Sequence, residues 1–126
     1  VIPRISLYPE PYIFKGMMKS DVIAKYGTPD KTASNGLTYL SYSPKAPILL
    51  YTLSIDGSVI GAAVIVDTKY TEDLSQYLNE RYYYYKTDNK VLYYFNGVDT
   101  KKITLAITSR LYNSNTWFIT YDANIF

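Results

Sequence analysis

Two apolar runs, 48–55 and 59–67, are separated by the dipeptide Asp56-Gly57. Asp-Gly between apolar runs is a strong hairpin signal, because both turn residues are expected to adopt positive φ. A chain with this centre is headed for antiparallel sheet. Residues 37–43, bounded by Gly36 and Pro44, read as a strand preceding the hairpin. The run from Val59 to Val66 is apolar on both faces, and Gly61, Ala62 and Ala63 are small. Another element is therefore expected to pack closely on it.

Helical spacing appears twice. Met18, Val22, Ile23 and Tyr26 fall on one face and predict a helix over 18–26. Gly27 ends it with a left-handed residue, and Pro29 prevents continuation. Residues 30–36 then read as a polar loop. Leu74, Tyr77, Leu78 and Tyr82 predict a second helix, with Thr71 as its cap and Glu72 and Asp73 at the positive end of its dipole. Strands resume at 83–86, with a turn at Asp88-Asn89 into 91–95. Alternation predicts two more, at 102–108 and 116–121, separated by Asn113-Ser114-Asn115. The expected fold is α+β: two short helices packed on antiparallel sheet.

The chain has 126 residues, nearly half of them apolar, which suits one domain with its own core. Residues 1–15 contain Pro3, Pro9 and Pro11 and read as an extended N-terminal arm; residues 16–126 read as the domain. The first residue is Val1, not Met, so a removed or anchored segment is expected to precede it. No stretch is long and apolar enough to span a bilayer, which leaves an N-terminal anchor as the expected membrane contact. Net charge is +2, and the longest basic run is Lys101-Lys102, which argues against a nucleic-acid partner.

The chain has no Cys and no His. That removes disulfides, thiolate nucleophiles, the commonest general base and the commonest metal ligands. The carboxylates have structural roles at hand: Asp21 lies in the first helix, Glu72 and Asp73 open the second, Asp56 and Asp88 sit in turns, and Glu80 faces solvent beside Arg81. No phosphate loop, nucleophile elbow or metal spacing is present. The expectation is a protein that binds without catalysis, with no cofactor and no metal.

The halves resemble one another. Tyr39-Leu40-Ser41-Tyr42 aligns with Tyr93-Tyr94-Phe95-Asn96, and Thr52-Leu53-Ser54-Ile55 with Thr104-Leu105-Ala106-Ile107. Val64-Ile65-Val66-Asp67 aligns with Ile119-Thr120-Tyr121-Asp122, and the offsets are nearly constant. Either the chain is a tandem helix-plus-three-strand repeat over 16–67 and 70–126, or this is the general likeness of amphipathic strands.

Residues 16–30, from Gly16-Met17 through Val22 to Gly27-Thr28-Pro29-Asp30, resemble the opening of the SmpA/OmlA (BamE) family of bacterial outer-membrane lipoproteins. They are also similar to the repeat opening of β-lactamase inhibitory proteins. The likeness extends over about 14–43, with Tyr39 to Tyr42 matching the aromatic strand that follows. It implies the fold of those families and a periplasmic or cell-envelope setting, with another envelope protein as partner. Each matched residue is structural, so the motif argues for fold and not for function.

Tyrosine makes up 16 of the 126 residues. Tyr82-Tyr83-Tyr84-Tyr85 is followed closely by Tyr93 and Tyr94. Tyrosine is a good strand residue with an apolar body and a wet tip, which is one explanation. The sharper one makes Tyr83, Tyr84, Tyr85, Tyr93 and Tyr94 a platform for a protein partner, or alternatively for a glycan or other small ligand stacking on the rings.

Overall fold

The protein's structure, a computed structural model, describes residues 7–124; the first six residues of the expected arm, Pro3 among them, lie outside them. The chain builds one antiparallel sheet. Helix α1 (Lys19–Tyr26) leads into β1 (Lys31–Ala33), β2 (Gly36–Leu40), β3 (Ile48–Leu53) and β4 (Val59–Asp67). A 3-10 turn (Thr68–Tyr70) and helix α2 (Thr71–Arg81) lead into β5 (Tyr83–Asp88), β6 (Val91–Phe95), β7 (Ala106–Asn113) and β8 (Thr116–Asp122). Strand order is β1-β2-β3-β4-β8-β7-β6-β5.

This corrects the expected α+β architecture. The fold is sheet-dominated, with 43% strand and 19% helix among the described residues. Two helices of 8 and 11 residues cannot form a layer that balances eight strands. The excess strand comes from β1, which lies inside the expected polar loop. All three of its residues are exposed, so it shows no alternation, and it is held only by its ladder to β2.

Each half is therefore a helix followed by a four-strand meander, not three strands. The two meanders meet at β4 and β8 in the middle of the sheet. Val64 pairs with Ile119 there, and both are wholly buried. These are the residues aligned between the halves, so equivalent positions face each other at the seam.

Both helices cover one face of the sheet. Leu37, Tyr39, Leu49, Tyr51, Val64, Ile107, Ile119 and Tyr121 form a single core with Val22 of α1 and Leu74, Tyr77 and Leu78 of α2. The expected α2 face is buried throughout, Tyr82 included. On α1 only Val22 is buried, while Met18 and Ile23 are exposed and Met17 fills the core instead. At its start Asp21 Oδ2 accepts the Met18 N–H at 2.8 Å. Gly27 closes it with φ 83° and ψ −160°, a region essentially restricted to glycine.

Thr71 does not cap α2. The chain enters through the 3-10 turn, where Asp67 Oδ1 accepts the Lys69 N–H. Thr71 Oγ1 instead donates to Thr68 O and accepts the Trp117 indole N–H at 2.8 Å. Strand β7 begins four residues later than alternation predicts. Asn96 Oδ1 accepts the N–H groups of Thr104 and Leu105, each at 3.1 Å, which draws both backbones to a side chain. Ile103 and Leu105 are buried all the same.

The Asp56-Gly57 turn differs in detail from expectation. Only Gly57 has positive φ. Gly57 N–H donates to Ser54 O and Ser54 N–H to Ser58 O, which makes a three-residue loop, not a two-residue one. Asp56 accepts from the hydroxyls of Ser54 and Ser58 and from the Ser58 N–H. These bonds, Ser54's first, hold its carboxyl down to about 2. A depressed folded pKa means the turn's contribution is complete above the unfolded value of about 3.9 and is lost as pH falls through about 2. An NMR titration of Asp56 is expected to show a midpoint near 2, rising toward the free carboxylate value when Ser54 and Ser58 are both changed to Ala, with the Ser58 N–H bond left to hold part of the shift. A midpoint unmoved by that double change would refute the assignment.

Candidate functional site

Directly paired residues on neighbouring strands share a face. The register therefore identifies every side chain on the helix-free face of the sheet. One row crosses all eight strands: Lys31, Thr38, Leu50, Ala63, Thr120, Thr108, Tyr93 and Lys86. A second row holds Leu40, Ile48, Ile65, Phe118 and Arg110. On the other side, Ala106, Phe95 and Tyr83 follow one another. At about 4.8 Å per strand the face is about 34 Å wide.

This face is open and carries apolar and aromatic side chains among threonines and cations. Leu50, Ile65, Tyr93, Phe95 and Phe118 are only half-buried, and Leu40 and Tyr83 are exposed. Its two-sidedness follows from the sequence: β3 and β4 are apolar at consecutive positions, so both faces of the sheet are greasy although only one is roofed. Exposed aromatic and aliphatic side chains gathered on one face are a mark of interaction sites.

The platform residues predicted from sequence do not share a face. Tyr83 lies opposite Phe95, and Lys86 opposite Tyr93. Alternation puts Tyr85 on the open face, its ring 5.4 Å from that of Phe95, and the bulge between Tyr84 and Lys86 brings Lys86 to the same face. Tyr84 pairs with Tyr94 on the helix side, with ring centroids 5.8 Å apart. Tyr94 is buried at 2% exposure, and burial raises its phenol, with Tyr84 a smaller cause. The structure thus brings Tyr83, Tyr85 and Tyr93 together and sends Tyr94 to the core. Tyr84, although exposed, faces the other way.

Sequence reasoning missed Phe118, Tyr112 and Arg110. Tyr112 stacks on Phe118 at 5.8 Å and 28°, and the Arg110 guanidinium lies 4.9 Å from the Phe118 ring centroid. In the same half Lys86 Nζ lies 5.3 Å from the Tyr93 ring and 5.7 Å from the Tyr85 ring. Cations over ring faces are attracted by the ring quadrupole, at about 0.5–1 kcal/mol where exposed. The Lys86–Asp88 ion pair at 3.9 Å is solvent-exposed and contributes little. The missed signal was the register itself: Arg110 and Phe118 are directly paired, which the sequence does not show.

The arrangement suits contact with a surface. Among the described residues, no group of three or more carboxylates converges to hold a metal ion, and no helix is long and apolar enough to cross a membrane. One hollow of about 230 Å³ borders the face, between Tyr83, Tyr85, Phe95, Val98 and Ile103. Comparison with family models, with curated proteins and with solved structures gives no match to this chain.

Proposed function

We propose that this chain is a non-catalytic protein-interaction domain of a bacterial secreted protein or envelope lipoprotein, whose partner docks on the helix-free face of the sheet. The observation carrying this reading is the set of aromatic and aliphatic side chains left without a roof on one face, among them Leu40, Leu50, Phe118, Tyr93 and Tyr83. Interface centres are enriched in such residues, with Tyr, Phe and Arg prominent. The envelope setting rests on the outer-membrane lipoprotein resemblance of residues 14–43.

The test is site-specific photocrosslinking in envelope extracts. A crosslinker at Leu50 or Thr120 is expected to yield one discrete adduct, and the same group at Asn79, exposed on α2, none. Phe118→Asp is expected to weaken the adduct at least tenfold with the fold intact, because a carboxylate then enters an apolar contact. Equal labelling from Asn79, or an adduct indifferent to Phe118→Asp, would remove the open face from consideration. The hollow beside Tyr83 and Tyr85 favours a second reading, a glycan stacked on those rings. Selective binding on a glycan array, lost with Tyr83→Ala, would support it.

A further inference from the structure

Residues 7–15 carry no helix or strand, yet they run through the middle of the helix-covered side. Tyrosine hydroxyls hold them there. Tyr77 donates to Tyr8 O at 2.6 Å, Tyr42 to Pro9 O at 2.5 Å and Tyr51 to Tyr12 O at 2.6 Å. Tyr26 accepts the Tyr12 N–H at 2.8 Å, and Tyr82 donates to the Glu10 carboxylate at 2.5 Å. The Tyr8 ring fills the core at 2% exposure, 4.6 Å from the Tyr77 ring, with its hydroxyl 2.7 Å from that of Tyr121.

This is how a receptor reads a peptide, not how a sheet takes a strand. Among the described residues, the one backbone–backbone hydrogen bond of this segment is local, from Met17 N–H to Phe14 O. The hydrogen bonds to the backbone of residues 7–12 described above come from side chains. Pro9 and Pro11 have no N–H to satisfy, and their fixed φ pre-extends the segment, which lowers the entropy lost on seating it. Aromatic-lined grooves take proline-interrupted segments in this way. The trough also stays accessible: clefts of about 490 and 360 Å³ flank the segment at Glu10 and Ile13. One exposed turn at Lys15-Gly16 connects segment to body. Gly16 has φ 84°, and nothing lies within 4 Å of where its Cβ would be.

We infer that this trough is a peptide-binding site, and that it takes an extended segment of another protein bearing an aromatic-Pro-acid-Pro-aromatic pattern. Residues 8–12, Tyr-Pro-Glu-Pro-Tyr, hold it in cis. The ligand chemistry follows from the resident: an aromatic ring for the Tyr8 slot, prolines with free carbonyls for the Tyr42 and Tyr77 hydroxyls, and an acid for Tyr82. The site is distinct from the open face and does not depend on it. Tethering gives the resident segment an effective concentration in the millimolar range, so a ligand in trans enters when the segment is released.

The experiment uses the full chain with a specific protease site inserted between Lys15 and Gly16. After cutting, a fluorescent peptide with the sequence of residues 7–15 is added and its anisotropy followed. The cut chain is expected to keep its circular dichroism spectrum and bind the peptide saturably, while the uncut chain binds at least tenfold more weakly. Tyr51→Phe with Tyr77→Phe keeps both rings and removes two donors, and is expected to weaken binding about tenfold or more. A peptide in which both prolines are Ala is expected to bind several-fold more weakly. Absence of peptide binding to the cut chain, equal binding to cut and uncut chains, or loss of the folded spectrum on cutting would each overturn the inference. The last would make the segment an integral part of the core.

Discussion

Replacing Tyr121 with Ala is expected to destabilise the fold by about 3–5 kcal/mol, the range for emptying an aromatic site in a packed core. Tyr121 is wholly buried on β8, beside the seam. Its ring meets those of Tyr8 and Tyr82 at 6.5 and 6.1 Å, and its hydroxyl joins both of theirs. Cross-strand from it on β4 is Ala62, too small to swing into the space. The void therefore persists, and the cost falls toward the upper end. Tyr121→Phe keeps the ring but strands the Tyr8 hydroxyl, at about 1–2 kcal/mol. Urea unfolding separates the two, with unchanged slope and a shifted midpoint. A loss below 1 kcal/mol for the Ala variant would show that the tyrosine chain is not a packed core element. Burial, foremost, raises the phenols of Tyr8 and Tyr121 well above their ordinary values. A raised folded pKa means this contribution is complete below the unfolded value of about 10 and is lost as pH rises beyond it.

Gly61→Val is expected to cost about 1–3 kcal/mol, against the usual trend. At an unobstructed strand position, replacing Gly stabilises by about 0.5–1 kcal/mol, through reduced unfolded-state entropy. At Gly61 a Cβ would lie 3.0 Å from the carbonyl oxygen of Tyr121. The obstacle is backbone, so β4 and β8 must part to admit the side chain, and the steric term wins. Gly61→Ala is expected to be milder but of the same sign. Calorimetric melting of both variants checks this; a melting temperature raised by Val would show that the two strands do not approach this closely.

The hairpins and helices were legible because each rests on local signals: Asp56-Gly57, the Gly27-Thr28-Pro29 stop, and the 0-3-4-8 spacing from Leu74. What was illegible depends on partners distant in sequence. Strand β1 shows no pattern of its own and exists through β2. Asn96 withholds Thr104 and Leu105 from β7 by side-chain bonds eight and nine residues long. The tyrosines of 83–94 divide between the two faces by strand parity. A one-residue bulge at Tyr85 keeps Lys86 on the same face as Tyr85, and on β6 simple alternation sends Tyr94 inward while Tyr93 stays out. Composition flagged the tyrosines, but many of their hydroxyls turned out to serve the backbone of residues 8–12, a contact between segments up to 69 residues apart. The two-sided apolar character of β4 was visible, and suggested a second layer; the structure leaves that side open.

Trp117, the chain's one indole, is paired with Val66 across the β4–β8 ladder and donates to Thr71 at the start of α2. Every other strand pairing joins neighbours along the chain; this ladder alone closes a loop of some fifty residues. The fluorophore thus sits on the least local strand pairing of the sheet. Indole emission during refolding reports when the two meanders join, whereas far-ultraviolet dichroism sums over all eight strands. Coincident traces would mean that the halves and their junction form as one cooperative unit. A lagging emission signal would mean that each meander gathers first and the long closure comes last.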